Sequence, residues 1–275
     1  MQNYITVLSI AGSDPSGGAG IQADLKTCAA LGCYGLSVIT ALTAQNSKGI
    51  SKILPISGDF IKKQIDALMD DINVDIVKIG MIPNKEVLSI LVNCLDFYDF
   101  QYIIIDPVLN ASHGENLMQN DAIGIFRDVL LPKATIITPN LLEAANLLDQ
   151  PQNAFIEADL DKMKKICQRL GKFTKKAVVL KGGHHINATK CIDLLYFKDQ
   201  DDFFEFSSQK IPTPNLHGTG CTFSTAIGCF LAKNHTIKSA VKQAKLFISN
   251  SIEYGAQFRL GNGPGPVHHF FQFWK

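Results

Sequence analysis

The stretch Tyr4–Leu31, YITVLSIAGSDPSGGAGIQADLKTCAAL, reads as three pieces in succession. Tyr4 to Ala11 is an apolar, β-branched run that suits a strand buried on both faces. Gly12 to Gly20 is a turn built from glycine, serine, aspartate and proline. Apolar residues at helical spacing then run from about Ile21 to Leu31. A buried strand that ends in a pliant turn and opens a helix is the repeating unit of a parallel sheet covered by helices.

That unit recurs along the chain. Further strands are expected at Leu36–Thr43, Ile76–Ile79, Tyr102–Ile105, Thr135–Ile137 and Ala177–Leu180. Helices are expected at Asp59–Asp70, Lys85–Leu95, Ala122–Leu130, Leu141–Leu148 and Asp159–Leu170. Ile192–Phe197 and Phe203–Phe206 flank an acidic turn and read as a hairpin, and helices Thr222–Leu231 and Ile237–Glu253 follow. No repeat, low-complexity tract or linker divides the chain. Residues 1–275 are therefore expected to form a single α/β domain, a three-layer α/β/α sandwich around a mostly parallel sheet. Such sheets bind ligands beyond the carboxyl ends of their strands. Gly12, Gln45, Gly80, Asp106, Pro139 and Lys181 all fall at such ends.

The composition narrows the partners. Hydrophobic residues make up 46% and charged residues 19% of 275, and the formal charge is +1. That balance gives no reason to expect nucleic acid or a membrane surface as the main partner. No apolar run approaches the roughly 18 residues needed to span a bilayer. The seven cysteines form no C-x-x-C pair, which fits neither a disulfide framework nor a zinc site. A cytoplasmic protein with reduced thiols is expected.

The most informative local pattern is His217-Gly-Thr-Gly-Cys-Thr-Phe-Ser224, which runs into an apolar helix of small residues. Glycines at a helix start aim free N–H groups outward, and the helix dipole adds positive potential, so the turn suits a phosphate. Gly218, Thr219 and Gly220 supply that cradle. Cys221 lies in the first turn, where a thiol pKa is expected to fall. A buried cysteine after an ordinary glycine turn is the plainer reading. Gly17-Gly-Ala-Gly20 lacks the G-x-G-x-x-G spacing of a dinucleotide site, and the chain holds no G-x-x-x-x-G-K-[ST]. Asp24, one turn into the following helix, either enters the ligand space or complements the helix dipole. Gln45 offers an amide donor and acceptor suited to a nitrogen heterocycle, or a turn cap. Asp106 ends an apolar strand, where a bare carboxylate needs a partner or a metal. Asn140 and Glu143 spell either a helix capping box or, with Asp106, oxygen ligands reaching Mg²⁺ through water. His184, His185, His268 and His269 lack metal-ligand spacing and are expected on the surface or in loops. Phe270, Phe271, Phe273 and Trp274 are expected to cover a core edge or a dimer partner.

An ordered set of motifs carries a resemblance over the whole chain. They are Ala11-Gly-Ser-Asp-Pro-Ser-Gly-Gly-Ala-Gly-Ile-Gln-Ala-Asp-Leu-Lys26, Thr40-Ala-Leu-Thr-Ala-Gln-Asn46, Val77-Lys-Ile-Gly-Met81, Asp106-Pro-Val108, Thr138-Pro-Asn-Leu-Leu-Glu-Ala144, Leu180-Lys-Gly-Gly-His184, His217-Gly-Thr-Gly-Cys221 and Gly265-Pro-Val-His268. The chain resembles the hydroxymethylpyrimidine/phosphomethylpyrimidine kinases of thiamine biosynthesis, in the ribokinase-like superfamily. The resemblance implies that ATP, with Mg²⁺, phosphorylates 4-amino-5-hydroxymethyl-2-methylpyrimidine and then its monophosphate. It implies that Asp24 and Gln45 bind the aminopyrimidine in a pocket lined by Ala19, Met81 and Val108. It places Asp106, Asn140 and Glu143 at Mg-ATP, with Asp106 and Glu143 toward the metal, and Lys181 and Thr219 near the nucleotide. Cys221 then stands where most relatives in the superfamily carry an aspartate base. A homodimer is also implied. Leu216 stands where a threonine is expected. The loop Asn110–Asn116 lacks the second cysteine of some relatives that also phosphorylate pyridoxal, so pyridoxal is the alternative substrate. A pyrimidine- or nucleotide-binding protein without chemistry is the alternative from another class.

Overall fold

The chain enters the structure through β1 (Thr6–Ser13), whose first seven residues are buried. The computed structural model describes residues 2–110, 116–183 and 189–274. After β1 come α1 (Gly20–Ala30), β2 (Tyr34–Asn46), β3 (Gly49–Pro55), α2 (Gly58–Met69), β4 (Ile76–Ile79), α3 (Lys85–Phe97) and β5 (Tyr102–Ile105). A short turn of helix, α4 (Ile123–Ile125), precedes β6 (Ile136–Ile137), α5 (Leu141–Leu147), α6 (Leu160–Leu170) and β7 (Ala177–Lys181). The antiparallel strands β8 (Lys190–Phe197) and β9 (Asp202–Gln209) lead to α7 (Thr219–Ala232) and α8 (Ile237–Gly255).

The strands form one sheet in the order β3-β2-β1-β4-β5-β6-β7-β8-β9. Neighbours from β2 to β7 pair in parallel. β3, β8 and β9 are antiparallel additions at the two edges. Successive residues of each central strand feed opposite cores, as the two-residue period of a strand requires. Leu8, Val77, Ile103 and Ile105 face α2, α3, α5 and α6. Val7, Ile76 and Ile104 face α1, α7 and α8. Burying each of these branched side chains contributes roughly 1.5–3 kcal/mol, which is why the strands are apolar on both sides.

The expected sandwich is observed, with two local differences. β3 was not anticipated, because most of its residues are exposed and its apolar pattern is broken by Ser51 and Lys52. It pairs with the end of β2, which extends that strand through Gln45. The expected helix Ala122–Leu130 is instead a succession of tight and wide turns around α4. Gly124 weakens it and Pro132 withholds a donor from it, while Phe126, Leu130 and Leu131 anchor the segment in the core.

Candidate active site

The carboxyl ends of β1, β4, β5, β6 and β7 lie side by side at one edge of the sheet. Two glycine turns meet there. The first follows β1 and is organised by Asp14, which accepts hydrogen bonds from Ser16 N and Oγ (2.8 and 2.7 Å), Gly18 N (3.2 Å) and Ala19 N (2.9 Å). The second turn, Gly218–Cys221, is held to the first by His217, whose Nε2 lies 2.8 Å from Asp14 Oδ2. Burial works against the Asp14 carboxylate, but His217, Ser16 and the Ala19 N–H outweigh it and bring its pKa down to about 2. Gly218 has φ +82°, and a Cβ there would lie 1.7 Å from Gly18 O. Only glycine allows the two turns to close on each other.

α7 starts at this junction. Its Thr219 hydroxyl donates to Leu216 O at 2.6 Å. The N–H groups of Gly218, Gly220 and Cys221 make no hydrogen bond with any described residue. Three free donors and the positive end of a 14-residue helix converge here, which is the geometry that receives a phosphate or a developing oxyanion. The expected fall in the Cys221 pKa is corrected. Burial pushes the thiol up to about 11, against the opposing pull of Lys78, while Asp24 and Asp106 push it further. A helix start favours the thiolate, but the residues packed round this half-buried cysteine withdraw enough water from it that desolvation dominates.

Beside the cradle, Asp106 accepts from Lys181 Nζ and Thr138 Oγ1, both at 2.8 Å, and from Ser224 Oγ at 3.3 Å. Burial disfavours its charge, but Lys181 and Lys78 prevail and its pKa is lowered. A Cβ on Gly220 would lie 3.3 Å from the Lys181 ammonium, so lysine and helix start face one space. Asn140 and Glu143 form a complete capping box for α5: Glu143 N donates to Asn140 Oδ1 at 2.9 Å, and Asn140 N donates to Glu143 Oε2 at 2.7 Å. The same Oε2 lies 3.9 Å from Lys181 Nζ. Burial raises the Glu143 pKa to about 7 although Lys181 opposes it. No cluster of three or more histidine, cysteine or acidic residues that could cage a metal occurs among the described residues.

The residues expected around the heterocycle separate into two groups. Met81 packs with Ala41 and Leu117, and Val108, Ile50 and Ile53 lie against that cluster. Gln45 stands opposite Ile50 in the β2–β3 ladder, and its Oε1 accepts from Thr43 Oγ1 at 3.1 Å. Ala19 sits at the start of α1, within the Asp14 turn. Met81, Val108 and Gln45 thus meet around one apolar cluster, with Ala19 in the turn that follows β1. Asp24 does not join them. It is fully buried between α1, β1, β4 and α7, and its two oxygens take Lys78 at 2.8 and 3.0 Å, Ser9 at 2.5 Å and Thr225 at 2.7 Å. Neither the ligand space nor the helix dipole claims it, because a lysine on the adjacent strand does.

His268 and His269, expected at the surface, are buried. The His269 ring nitrogen lies 2.9 Å from Thr222 Oγ1, and burial lowers its pKa to about 3. His268 packs between Phe258 and Trp274. Phe271 closes over Phe247 and Tyr254, while Phe273 and Trp274 are exposed. His184 and His185 lie outside the described residues, as does most of the Asn110–Asn116 loop. Asp14, His217 and Lys78 were not singled out from sequence. The signal for Lys78 was a lone charge inside an apolar strand, and for Asp14 an aspartate two residues before a serine in a turn.

The phosphomethylpyrimidine kinase family model matches residues 14–268. A hydroxymethylpyrimidine/phosphomethylpyrimidine kinase of Escherichia coli is 39% identical over 270 residues, covering 98% of this chain and 99% of the relative. A Clostridium difficile phosphomethylpyrimidine kinase superposes with a TM-score of 0.77 at 38% identity, covering 90% of this chain and 99% of that one. A Bacillus subtilis pyridoxal kinase in complex with ADP superposes with a TM-score of 0.86 at 33% identity, covering 97% and 98%. With the family pattern spread over nearly the whole chain and both glycine turns inside it, this protein belongs to the phosphomethylpyrimidine kinase family.

Proposed function

We propose that this protein transfers the γ-phosphoryl group of ATP to the hydroxymethyl oxygen of 4-amino-5-hydroxymethyl-2-methylpyrimidine, and then a second phosphoryl group onto the resulting monophosphate, in thiamine biosynthesis. The observation that carries this reading is the set of N–H donors on Gly218, Gly220 and Cys221 that no described residue pairs, with the Cys221 sulfur inside the same turn. Phosphoryl transfer asks chiefly for positioning and charge stabilisation, and the cradle supplies both. Cys221 takes the hydroxyl proton as the oxygen attacks. Ala19, Gln45, Met81 and Val108 receive the pyrimidine.

Lys181, Asn140 and Thr219 lie where the nucleotide phosphates would approach. A largely apolar cleft of about 210 Å³ beside Gly182, lined by Leu160, Met163 and Ile192, suits the adenine. The residues fit a hydrated Mg²⁺ carried by the phosphates. Among the described residues Glu143 keeps one carboxylate oxygen free of hydrogen bonds, whereas Asp106 is already occupied by Lys181, so contact through water suits both. Bound there, the metal supplies positive charge to the bridging and transferring phosphate oxygens. A single domain, a homodimer and a cytoplasmic location complete the reading. The seven free cysteines support the last of these, and no helix among the described residues is long and apolar enough to cross a membrane.

The test is ADP release with the pyrimidine alcohol, its monophosphate and pyridoxal in parallel, for wild type and Cys221→Ala. Turnover with both pyrimidines, reduced by roughly 10² or more in the variant, is expected. Turnover with pyridoxal alone would replace the substrate, in keeping with the pyridoxal kinase neighbour. A nearly unaffected variant would remove Cys221 as base.

A further inference from the structure

β4 consists of Ile76, Val77, Lys78 and Ile79, and all four are buried. Lys78 is among the largest fully enclosed side chains of the described residues. The strand alternation turns it toward α1 and α7, where its ammonium meets both oxygens of Asp24 at 2.8 and 3.0 Å. Ser9 and Thr225 also donate to Asp24, so four hydrogen bonds saturate the carboxylate. An ammonium carries three hydrogens, and Asp24 is the only hydrogen-bond partner of Lys78 among the described residues. One donor of this buried cation is therefore unspent.

Stability alone gives a weak reason to keep such a pair. Two buried charges are expensive to desolvate, and apolar residues of the same volume commonly do as well or better. The location gives a stronger one. A Cβ on Gly80 would lie 3.1 Å from Lys78 Nζ and 3.2 Å from Ala11 Cβ, which puts the ammonium under the ends of β4 and β1. Thr225, which grips Asp24, stands four residues after Cys221 on α7 and so on the same helical face. The charged groups acting on the Cys221 sulfur are Lys78 from β4, Asp24 from α1, Asp106 after β5 and Lys181 at the end of β7. Lys78 is the strongest of those favouring a negative sulfur, with the Gly20 backbone N–H assisting.

We propose that Lys78, fixed in place by Asp24, is a positioning residue for Cys221, its buried charge offsetting the negative sulfur from which proton transfer starts. The catalytic consequence rests on the kinase reading above. In that step the S–H bond forms as the substrate O–H bond breaks. The freed electron pair bonds to the γ-phosphorus, and the bond from that phosphorus to ADP breaks. Lys78 keeps its proton throughout.

The test is the rate at which iodoacetamide alkylates Cys221 in the full chain as a function of pH, with Cys221→Ala as the blank. Lys78→Met removes the charge and strands Asp24; Lys78→Gln removes the charge but keeps a donor for Asp24, which protects the fold. In both, the alkylation midpoint should rise by about one pH unit or more, with about tenfold slower reaction at neutral pH. The acidic limb of kcat/KM should move the same way. A folded Lys78→Gln protein with the wild-type alkylation profile overturns the proposal. Independently of any Lys78 variant, the Lys78 ¹⁵Nζ resonance should move as Cys221 ionises in wild type and stay fixed in Cys221→Ala. A resonance indifferent to Cys221 also overturns it. Alkylation needs neither ATP nor a pyrimidine, so a failure of the kinase reading leaves this test standing. An unchanged profile in an active kinase sinks the Lys78 proposal alone.

Discussion

Asp14→Asn should loosen the junction of the two glycine turns, and its cost can be worked from the surroundings of the carboxylate. Asp14 is 3% exposed and accepts from two backbone N–H groups on its Oδ2 while the same oxygen meets His217. An amide in its place turns an NH₂ toward some of these donors and removes the charge that His217 answers. A carboxyl brought from 3.8 to about 2 corresponds to roughly 2 kcal/mol of stability at neutral pH. Modest solvent access lowers this to between about 1 and 2 kcal/mol. The sign follows from the depressed pKa: the native state holds the carboxylate more strongly than the unfolded chain does. The contribution is therefore complete above about pH 4 and is lost as the pH falls toward 2. Thermal unfolding of wild type and variant across this range is the assay. A loss of roughly 2–8 °C in Tm at pH 7 is expected for a chain of this size. The difference should shrink to about half near pH 3. A difference of the same size at pH 7 and pH 3 would refute the reasoning, since it would show that packing rather than charge sets the cost.

Gly218→Ala should cost about 1–2 kcal/mol for the left-handed backbone alone. The Cβ, 1.7 Å from Gly18 O, should also push the turns apart and reduce turnover by roughly 10²; a fully active variant would show that the close approach is dispensable. Glu143→Gln keeps an acceptor for the Asn140 N–H but abolishes a carboxyl whose pKa burial raises to about 7. A raised carboxyl pKa makes wild type lose stability as the pH climbs from about 4.5 to 7. The variant should therefore gain on wild type by a few degrees between pH 5 and pH 8, and a Tm difference that ignores pH would contradict this.

The layered fold was legible in the sequence because its strands are buried on both faces, which leaves uninterrupted apolar runs such as Tyr102–Ile105. β3 was not, because an edge strand with exposed residues carries little apolar signal. Helix ends were readable where a side chain caps them, as Asn140 does with Glu143. The segment around Gly124 was not, because three buried residues hold it against its own local preference. In the site, residue types were readable and their neighbours were not. From its own helix Asp24 looks like a ligand-facing or dipole-facing acid, and only the fold brings it Lys78 from 54 positions away. Cys221 looked like an acidified thiol because a helix start is visible in sequence, whereas the desolvation that raises its pKa arises only once the chain has folded round it. Long-range burial, not local pattern, decided both.

The contacts Asp14–His217 and Asp24–Thr225 span 203 and 201 positions. The face of β1 that receives α7 therefore emerges from the ribosome long before its cover exists. At about 5–20 residues per second, the interval is on the order of 10 to 40 s. Throughout that time Asp24 and Lys78 can find each other, but Val7, Ile76 and Ile104 remain without α7 to shield them. The nascent chain thus carries an exposed apolar surface for most of its synthesis, a natural landing place for a chaperone. The glycine turn that opens α7 is among the last parts of the molecule to take shape, so a chain cut short before α7 would have most of its sheet and none of that turn.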